Sequence, residues 1–489
     1  VALKRLLKLA KWLVSALVVV LVTVMVVRVV DSQRGPPLEL WHTFVPKELD
    51  QAALDRADWA AYLAAEAAVF AEVRRDVTDK LAPRQHVPVN RYYAASPIYP
   101  GRFAQDFNRS FVLAPAGPPA GAVVLLHGLT DSPYSLRHVA RLYAEHGFVA
   151  LSIRLPGHGT VPGALIAADY EDWRAATRLA MREARRRAGP DRPLHIVGYS
   201  NGGALALMHA LDALDDPALG RPDRIVLLSP MVGVTEFARF AGLAAWPAFI
   251  PAFAKAAWLS LIPEFNPFKY NSFPVNAARE SYRLTQALQD NIRRHLRGGR
   301  LEGLAPILTF QSVLDNTVST RAVIEGLHAH LPDASSELVL FDINRNTTFE
   351  QLLTRQADTA IERLLPPPPR PFRVAVVTNA APGTDATEVR VTAPNALDDV
   401  RRPLGLTFPD EVYSLSHVAL PFPLSDGLYG LEPDPADAFG IRLGDIAARG
   451  EYASLIVDVD MLVRMSSNPF FPYVLERIRA GIDGGAPRP

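Results

Sequence analysis

Ser200 stands between two glycines in Leu194-His195-Ile196-Val197-Gly198-Tyr199-Ser200-Asn201-Gly202-Gly203. An apolar run that reads as a buried strand precedes it, and good helix-forming sequence, Gly203–Ala210, follows. Strand, sharp turn and helix around G-x-S-x-G form the context of a nucleophile elbow, where a strained turn lifts the serine Oγ above a sheet. The flanking glycines leave room for close backbone approach. Without those flanks the motif would read as an ordinary strand-to-helix turn.

A serine hydroxyl is a poor nucleophile until a histidine accepts its proton, and a carboxylate must orient that histidine. On such an elbow the chain order is serine, acid, histidine. The acid is expected after a later strand, and Phe310-Gln311-Ser312-Val313-Leu314-Asp315-Asn316-Thr317-Val318 offers Asp315. The alternative for Asp315 is a loop aspartate or helix cap. Three histidines follow it: His328, His330 and His417. The first two fall within an expected helix at 320–331, facing away from strand tips. His417 closes a short apolar segment and is the expected base. Negative charge developing on a substrate oxygen needs backbone N–H donors. Asn201, just after the serine, supplies one, and Leu129, in the loop His127-Gly128-Leu129-Thr130-Asp131-Ser132, the other. His127 is expected to pack or hydrogen-bond beneath that loop.

These residues require a scaffold. Segments 110–113, 122–126, 148–153, 194–197, 224–228, 305–310 and 337–341 read as strands. Helical stretches at 134–146, 169–187, 203–214 and 320–331 lie between them. The alternation predicts a mostly parallel central sheet with helices on both faces. Residues 232–297 are rich in aromatics and prolines and read as a helical cap, with Trp246 and Trp258 as candidate substrate contacts. An ordinary helical insertion with its own core is the alternative. A second insertion, 344–409, contains a capping-box pattern at 347–350 and two alternating segments, 373–378 and 388–392, resembling a hairpin. The strand at 337–341 is expected to be the last of the core, with the insertion an excursion that returns His417 to the strand tips.

The N-terminus carries Lys4, Arg5, Lys8 and Lys11, then an apolar run from Trp12 to Val27. Its length suits a bilayer crossing, and basic residues on the N-terminal side keep that end in the cytoplasm. No small-x-small cleavage site follows, so an uncleaved signal-anchor is expected, with the catalytic domain outside. The expected organisation is an anchor at 1–35, a helical extension at 36–106 with one long helix over 50–80, and the main domain at 107–489.

Composition narrows the classes. Formal net charge is zero and cysteine is absent. No nucleic-acid partner is indicated, and disulfides, thiolate metal sites and a cysteine nucleophile are excluded.

Taken together, His127–Ser132, Arg154-Leu155-Pro156-Gly157-His158-Gly159, Gly198–Gly203 and Gln311–Val318 resemble the α/β-hydrolase superfamily, most closely its monoacylglycerol lipase and serine aminopeptidase-like branch. The resemblance covers roughly 107–341 and resumes near His417. Asn201 stands where methionine or glutamine is more familiar, and the insertion before His417 departs from the usual pattern. The resemblance implies an α/β-hydrolase fold and a serine hydrolase acting on carboxylic esters, with neither cofactor nor metal, and the aromatic, apolar cap favours a lipid-like or aryl acyl group. A peptidase or amidase of the same fold is the rival. It would need cap carboxylates such as Glu236, Glu264 or Glu280 to hold a substrate amine. A non-catalytic membrane-bound scaffold is the third reading. It would be marked by loss of a triad member, and none is lost.

Overall fold

The computed structural model describes residues 2–233, 251–296, 300–332, 335–346, 353–381, 383–410, 412–444 and 467–484. Trp246, Glu236, the 347–350 capping box and part of the 232–297 cap lie outside them.

Twelve strands are described: β1 (Phe111–Leu113), β2 (Gly121–Leu126), β3 (Phe148–Ile153), β4 (Leu194–Tyr199), β5 (Arg224–Leu228), β6 (Trp258–Ser260), β7 (Phe273–Pro274), β8 (Ile307–Ser312), β9 (Glu337–Phe341), β10 (Arg373–Asn379), β11 (Ala386–Thr392) and β12 (Asp399–Thr407). Ten build one sheet in the order β1-β3-β2-β4-β5-β8-β9-β10-β11-β12, while β6 and β7 pair separately. From β3 to β10 neighbouring strands run parallel. The edges β1, β11 and β12 are antiparallel to their neighbours.

The central strands are continuous apolar runs because both faces are covered, so no polar residue need alternate with the apolar ones. Val124, Leu126 and Ile196 pack against helices Tyr170–Ala188, Asn201–Asp215 and Val275–His295. Val123, Leu125 and Val197 point the other way, against helices Arg137–Glu145 and Phe471–Ile482. Parallel strands end at one edge together, so the loops after β2, β4, β5, β8 and β9 share one rim, where open α/β sheets hold their ligands.

Strand β9 does not end the sheet, contrary to the sequence expectation. The insertion lays β10 parallel to β9, pairing Arg373 with Glu337, and folds β11 and β12 back as a meander. The expected hairpin is therefore part of the main sheet. The segment leaves near Asn344 and returns beside it: Asn344 N donates to Tyr413 O at 2.9 Å, and its Nδ2 to Val412 O at 3.0 Å. That closure puts the chain back at the rim four residues before His417.

The extension packs on the domain. The helix expected over 50–80 is two helices, Gln51–Arg56 and Trp59–Asp76. Asp58 breaks the run by capping the second, accepting from Ala61 N at 2.8 Å, as N-cap aspartates do. Leu54, Trp59 and Tyr62 join the main core. Arg154, buried, binds both Glu48 oxygens at 2.7 and 2.9 Å and Glu66 at 3.1 Å. Each buried charge is thus paired, without which its desolvation would be severe.

The N-terminal helix, Ala2–Arg34, includes a stretch, Lys8–Val27, long and apolar enough to cross a membrane, with none of it buried against the protein.

Candidate active site

Ser200 follows β4 directly and precedes helix Asn201–Asp215. Its backbone lies at φ 53° and ψ −115°, a sparsely populated region that costs on the order of 1–3 kcal/mol in a non-glycine residue. The surroundings hold it there: Ser200 N donates to Leu228 O at 3.0 Å, and Met231 N donates to Ser200 O at 3.0 Å. The glycines are sterically required. A Cβ on Gly202 would lie 2.0 Å from Leu126 O, and one on Gly198 would lie 2.3 Å from Gly202 O.

Asp315 lies in the loop after β8. Its Oδ1 accepts from Thr317 N at 2.9 Å and Val318 N at 3.0 Å. Its Oδ2 accepts from Gln311 Nε2 at 3.0 Å and lies 2.8 Å from His417 Nδ1. Burial pushes this carboxyl up, but the histidine and the converging N–H donors outweigh burial and hold it below the usual carboxylate range. A carboxylate can only accept, so Nδ1 of a neutral imidazole carries the proton and Nε2 the lone pair.

Tyr199 joins the two halves of the site. Its ring stacks on the His417 imidazole, with centroids 5.4 Å apart and planes 30° apart. Its hydroxyl donates to His417 O at 3.4 Å. Tyr199 and Gln311 escaped sequence reasoning. Tyr199 sits beside the serine in sequence, but its partner is 218 residues away.

The loop after β2 runs against the serine: a Cβ on Gly128 would be 3.3 Å from Ser200 Cβ. Leu155 N donates to His127 Nε2 at 3.0 Å, so Nδ1 bears the proton and donates to Gly128 O at 2.8 Å. Burial, with His158 nearby, pushes His127 well below the ordinary histidine range, consistent with this neutral tautomer. In a trans peptide the N–H opposes the C=O. Anchoring Gly128 O to His127 therefore turns Leu129 N–H the other way. Asn201, fully buried, begins the helix at Ser200, and helix N-termini present N–H groups to negative charge.

The remaining sequence candidates sit elsewhere. His328 and His330 form a short 3₁₀ turn after helix Thr320–Gly326, and His328 Nε2 lies 2.9 Å from Thr309 Oγ1 within the core. Trp258 is buried on β6, its ring edge-on to His42 of the extension at 5.0 Å. Glu264 and Glu280 are buried and engaged. Glu264 accepts from Asn271 N and Ser272 N at 2.9 and 2.8 Å. Glu280 accepts from Arg279 and Arg283 at 2.9 and 2.8 Å. Among the described residues no cluster of histidines and carboxylates suits a metal ion.

The family model for serine aminopeptidase, S33, matches residues 117–342. A thermostable monoacylglycerol lipase of Bacillus sp. (strain H-257) is 34% identical over 89 residues, which is 18% of this chain and 34% of that protein. The chain thus matches about a third of that relative's length. Among solved structures, one from a study of the metagenome-derived lipolytic enzymes LipS and LipT is similar at 23% identity and a TM-score of 0.38, covering 48% of this chain and 88% of that one. The monoacylglycerol lipase of Paleococcus ferrophilus is similar at 16% identity and a TM-score of 0.35, covering 52% and 97%. The family match spans the loops of Leu129 and Asp315 and the elbow of Ser200, and over that stretch this chain is similar to the monoacylglycerol lipase-like and serine aminopeptidase-like α/β-hydrolases.

Proposed function

We propose that this chain is a membrane-anchored serine hydrolase that cleaves carboxylic esters of lipid-like or aryl acyl type. The observation that carries the reading is the 2.8 Å contact between His417 and Asp315, on a histidine stacked against the residue preceding Ser200. In this mechanism Ser200 Oγ attacks the acyl carbon while His417 Nε2 takes its proton. Asp315 keeps Nδ1 protonated and steadies the imidazolium that forms. The oxyanion is met by the N–H groups of Leu129 and Asn201, each donor of this kind being worth roughly 10²–10³ in rate. His417 then protonates the departing alkoxide, and a water activated by the same nitrogen releases the acyl group from Ser200.

Ester rather than peptide chemistry is supported by Glu264 and Glu280, whose oxygens are occupied by backbone and arginine donors and so do not await a substrate amine. Anchoring is supported by the unburied apolar stretch Lys8–Val27. The basic residues before it favour a cytoplasmic N-terminus and an extracytoplasmic catalytic domain.

The test is hydrolysis by the full chain of p-nitrophenyl esters of graded acyl length against the matching p-nitroanilides. The reading predicts ester turnover that Ser200→Ala abolishes. Turnover of anilides alone would overturn it in favour of an amidase.

A further inference from the structure

Large apolar side chains scattered singly on a surface need no explanation, but a contiguous group does. Outside the N-terminal helix, eight large apolar side chains are exposed among the described residues. Three of them, Val87 at 40%, Val89 at 53% and Ile262 at 42%, line one groove of about 240 Å³ together with Pro36 and Pro37. A fourth, Leu259 at 43%, lies on β6 just before the groove-lining Leu261. These residues come from two separate parts of the chain, the extension and the cap, and meet where the N-terminal helix enters the domain.

That entry is fastened. Lys255 Nζ donates to Gly35 O at 2.8 Å and to Gln33 O at 3.4 Å, satisfying carbonyls that a helix C-terminus leaves open. The helix therefore meets the domain at a held joint, and the groove keeps a set height relative to the helix axis. Past Arg28, a residue type whose long side chain snorkels to the headgroups, the apolar run resumes and ends at Val30, and the helix ends at Arg34. Four residues at 1.5 Å rise carry the chain about 6 Å past the hydrocarbon. The polar layer on each side of a bilayer is roughly 5–8 Å thick. Pro36, Pro37 and the groove thus begin at the outer edge of the headgroups.

Charge does not supply the attraction. Arg84, on the groove wall, is paired with Glu39 at 2.9 Å, and Lys255 is spent on the helix end. What the ledge offers is aliphatic surface.

We propose that Val87, Val89, Leu259 and Ile262 form a docking ledge that rests in the headgroup region of the bilayer crossed by the N-terminal helix. The ledge seats the seam between extension and cap on the lipid surface. It rests on the anchoring reading above, with the same membrane as its partner. Being apolar, it engages zwitterionic lipid as well as anionic lipid and resists salt.

The chain has no cysteine, so each introduced cysteine gives a unique label. Full-length Val89→Cys, Ile262→Cys, Trp12→Cys and Leu397→Cys, each carrying an environment-sensitive fluorophore, are placed in phosphatidylcholine nanodiscs. Quenching by aqueous iodide is compared with quenching by nitroxide-bearing lipid. The ledge predicts that labels at 89 and 262 are shielded from iodide several-fold relative to 397 and are quenched by headgroup-level nitroxide, at low and high salt alike. Labels at 89 and 262 as open to iodide as 397, with position 12 in lipid, would overturn the ledge and leave the anchor standing. Positions 89, 262 and 12 all open to iodide would overturn both. Shielding at 89 and 262 with position 12 in water would uphold lipid docking and overturn the transmembrane anchor.

Discussion

Nδ1 of His417 lies 2.8 Å from Oδ2 of Asp315, although 102 residues separate them in sequence. The intervening chain adds four strands, β9 to β12, to the sheet, the last three in an excursion that closes on itself at Asn344 and Tyr413. The closure delivers the histidine to the rim that already holds Ser200 and Asp315.

His417→Ala should lower ester turnover by roughly 10³–10⁴, the scale on which such bases act, with little change in the unfolding midpoint. His328→Ala should do the reverse. It removes the partner of a buried Thr309 hydroxyl, costing about 1–3 kcal/mol of stability while leaving the rate of the folded enzyme nearly intact. Steady-state kinetics beside urea melts separate the two effects, and a rate loss confined to His328→Ala would reverse the assignment.

Asp315→Asn keeps the shape of the loop and its acceptor for Thr317 and Val318, but the amide no longer demands a proton on Nδ1. Turnover should fall by up to about 10⁴ at neutral pH. A variant within a factor of a few of the parent would remove Asp315 from the mechanism.

Tyr199→Phe loses the 3.4 Å bond to His417 O and keeps the ring stack. Tyr199→Ala loses both. Aromatic pairs are worth about 0.5–1.5 kcal/mol beyond burial, or roughly 2- to 13-fold. The alanine variant should therefore lower kcat by about that factor beyond the phenylalanine variant, with KM unchanged. A change in KM alone would mean that Tyr199 contacts substrate instead.

Acid should destabilise the fold through buried neutral histidines. Burial lowers His158 to about 4, and His195 and His328 to about 3. Unfolded histidine titrates near 6.5, so between these values the unfolded chain binds more protons and stability rises with pH. Their contribution is complete above about pH 6.5 and drains away as pH falls toward 4, by on the order of 2–3 kcal/mol per group. Thermal melts stepped across that window should show a falling Tm, and a flat Tm would contradict the neutral assignment.

How legible each feature was in the sequence follows from how local it is. Ser200 announces itself because strand, turn and helix are contiguous. The pairing of Asp315 with His417 was within reach because Asp315 follows a strand of strong apolar character and few histidines remain downstream. The sheet extension was hidden. Strand β12 is exposed along Asp399–Pro403, so it lacks the alternation that marks a half-buried strand, and only its pairing with β11 makes it one. The break at Asp58 was written in an N-cap residue inside an otherwise continuous helical pattern. The Arg154–Glu48–Glu66 cluster and the Tyr199 stack join residues far apart in sequence, which no local pattern encodes.

The central claim is that Ser200 is a nucleophile activated by His417. Full-length protein treated with a fluorophosphonate and digested for mass spectrometry tests it most directly. The account predicts one labelled serine, Ser200, with no labelling in Ser200→Ala and much slower labelling in His417→Ala. Labelling that persists unchanged in Ser200→Ala, or folded parent protein that takes up no label, would contradict it.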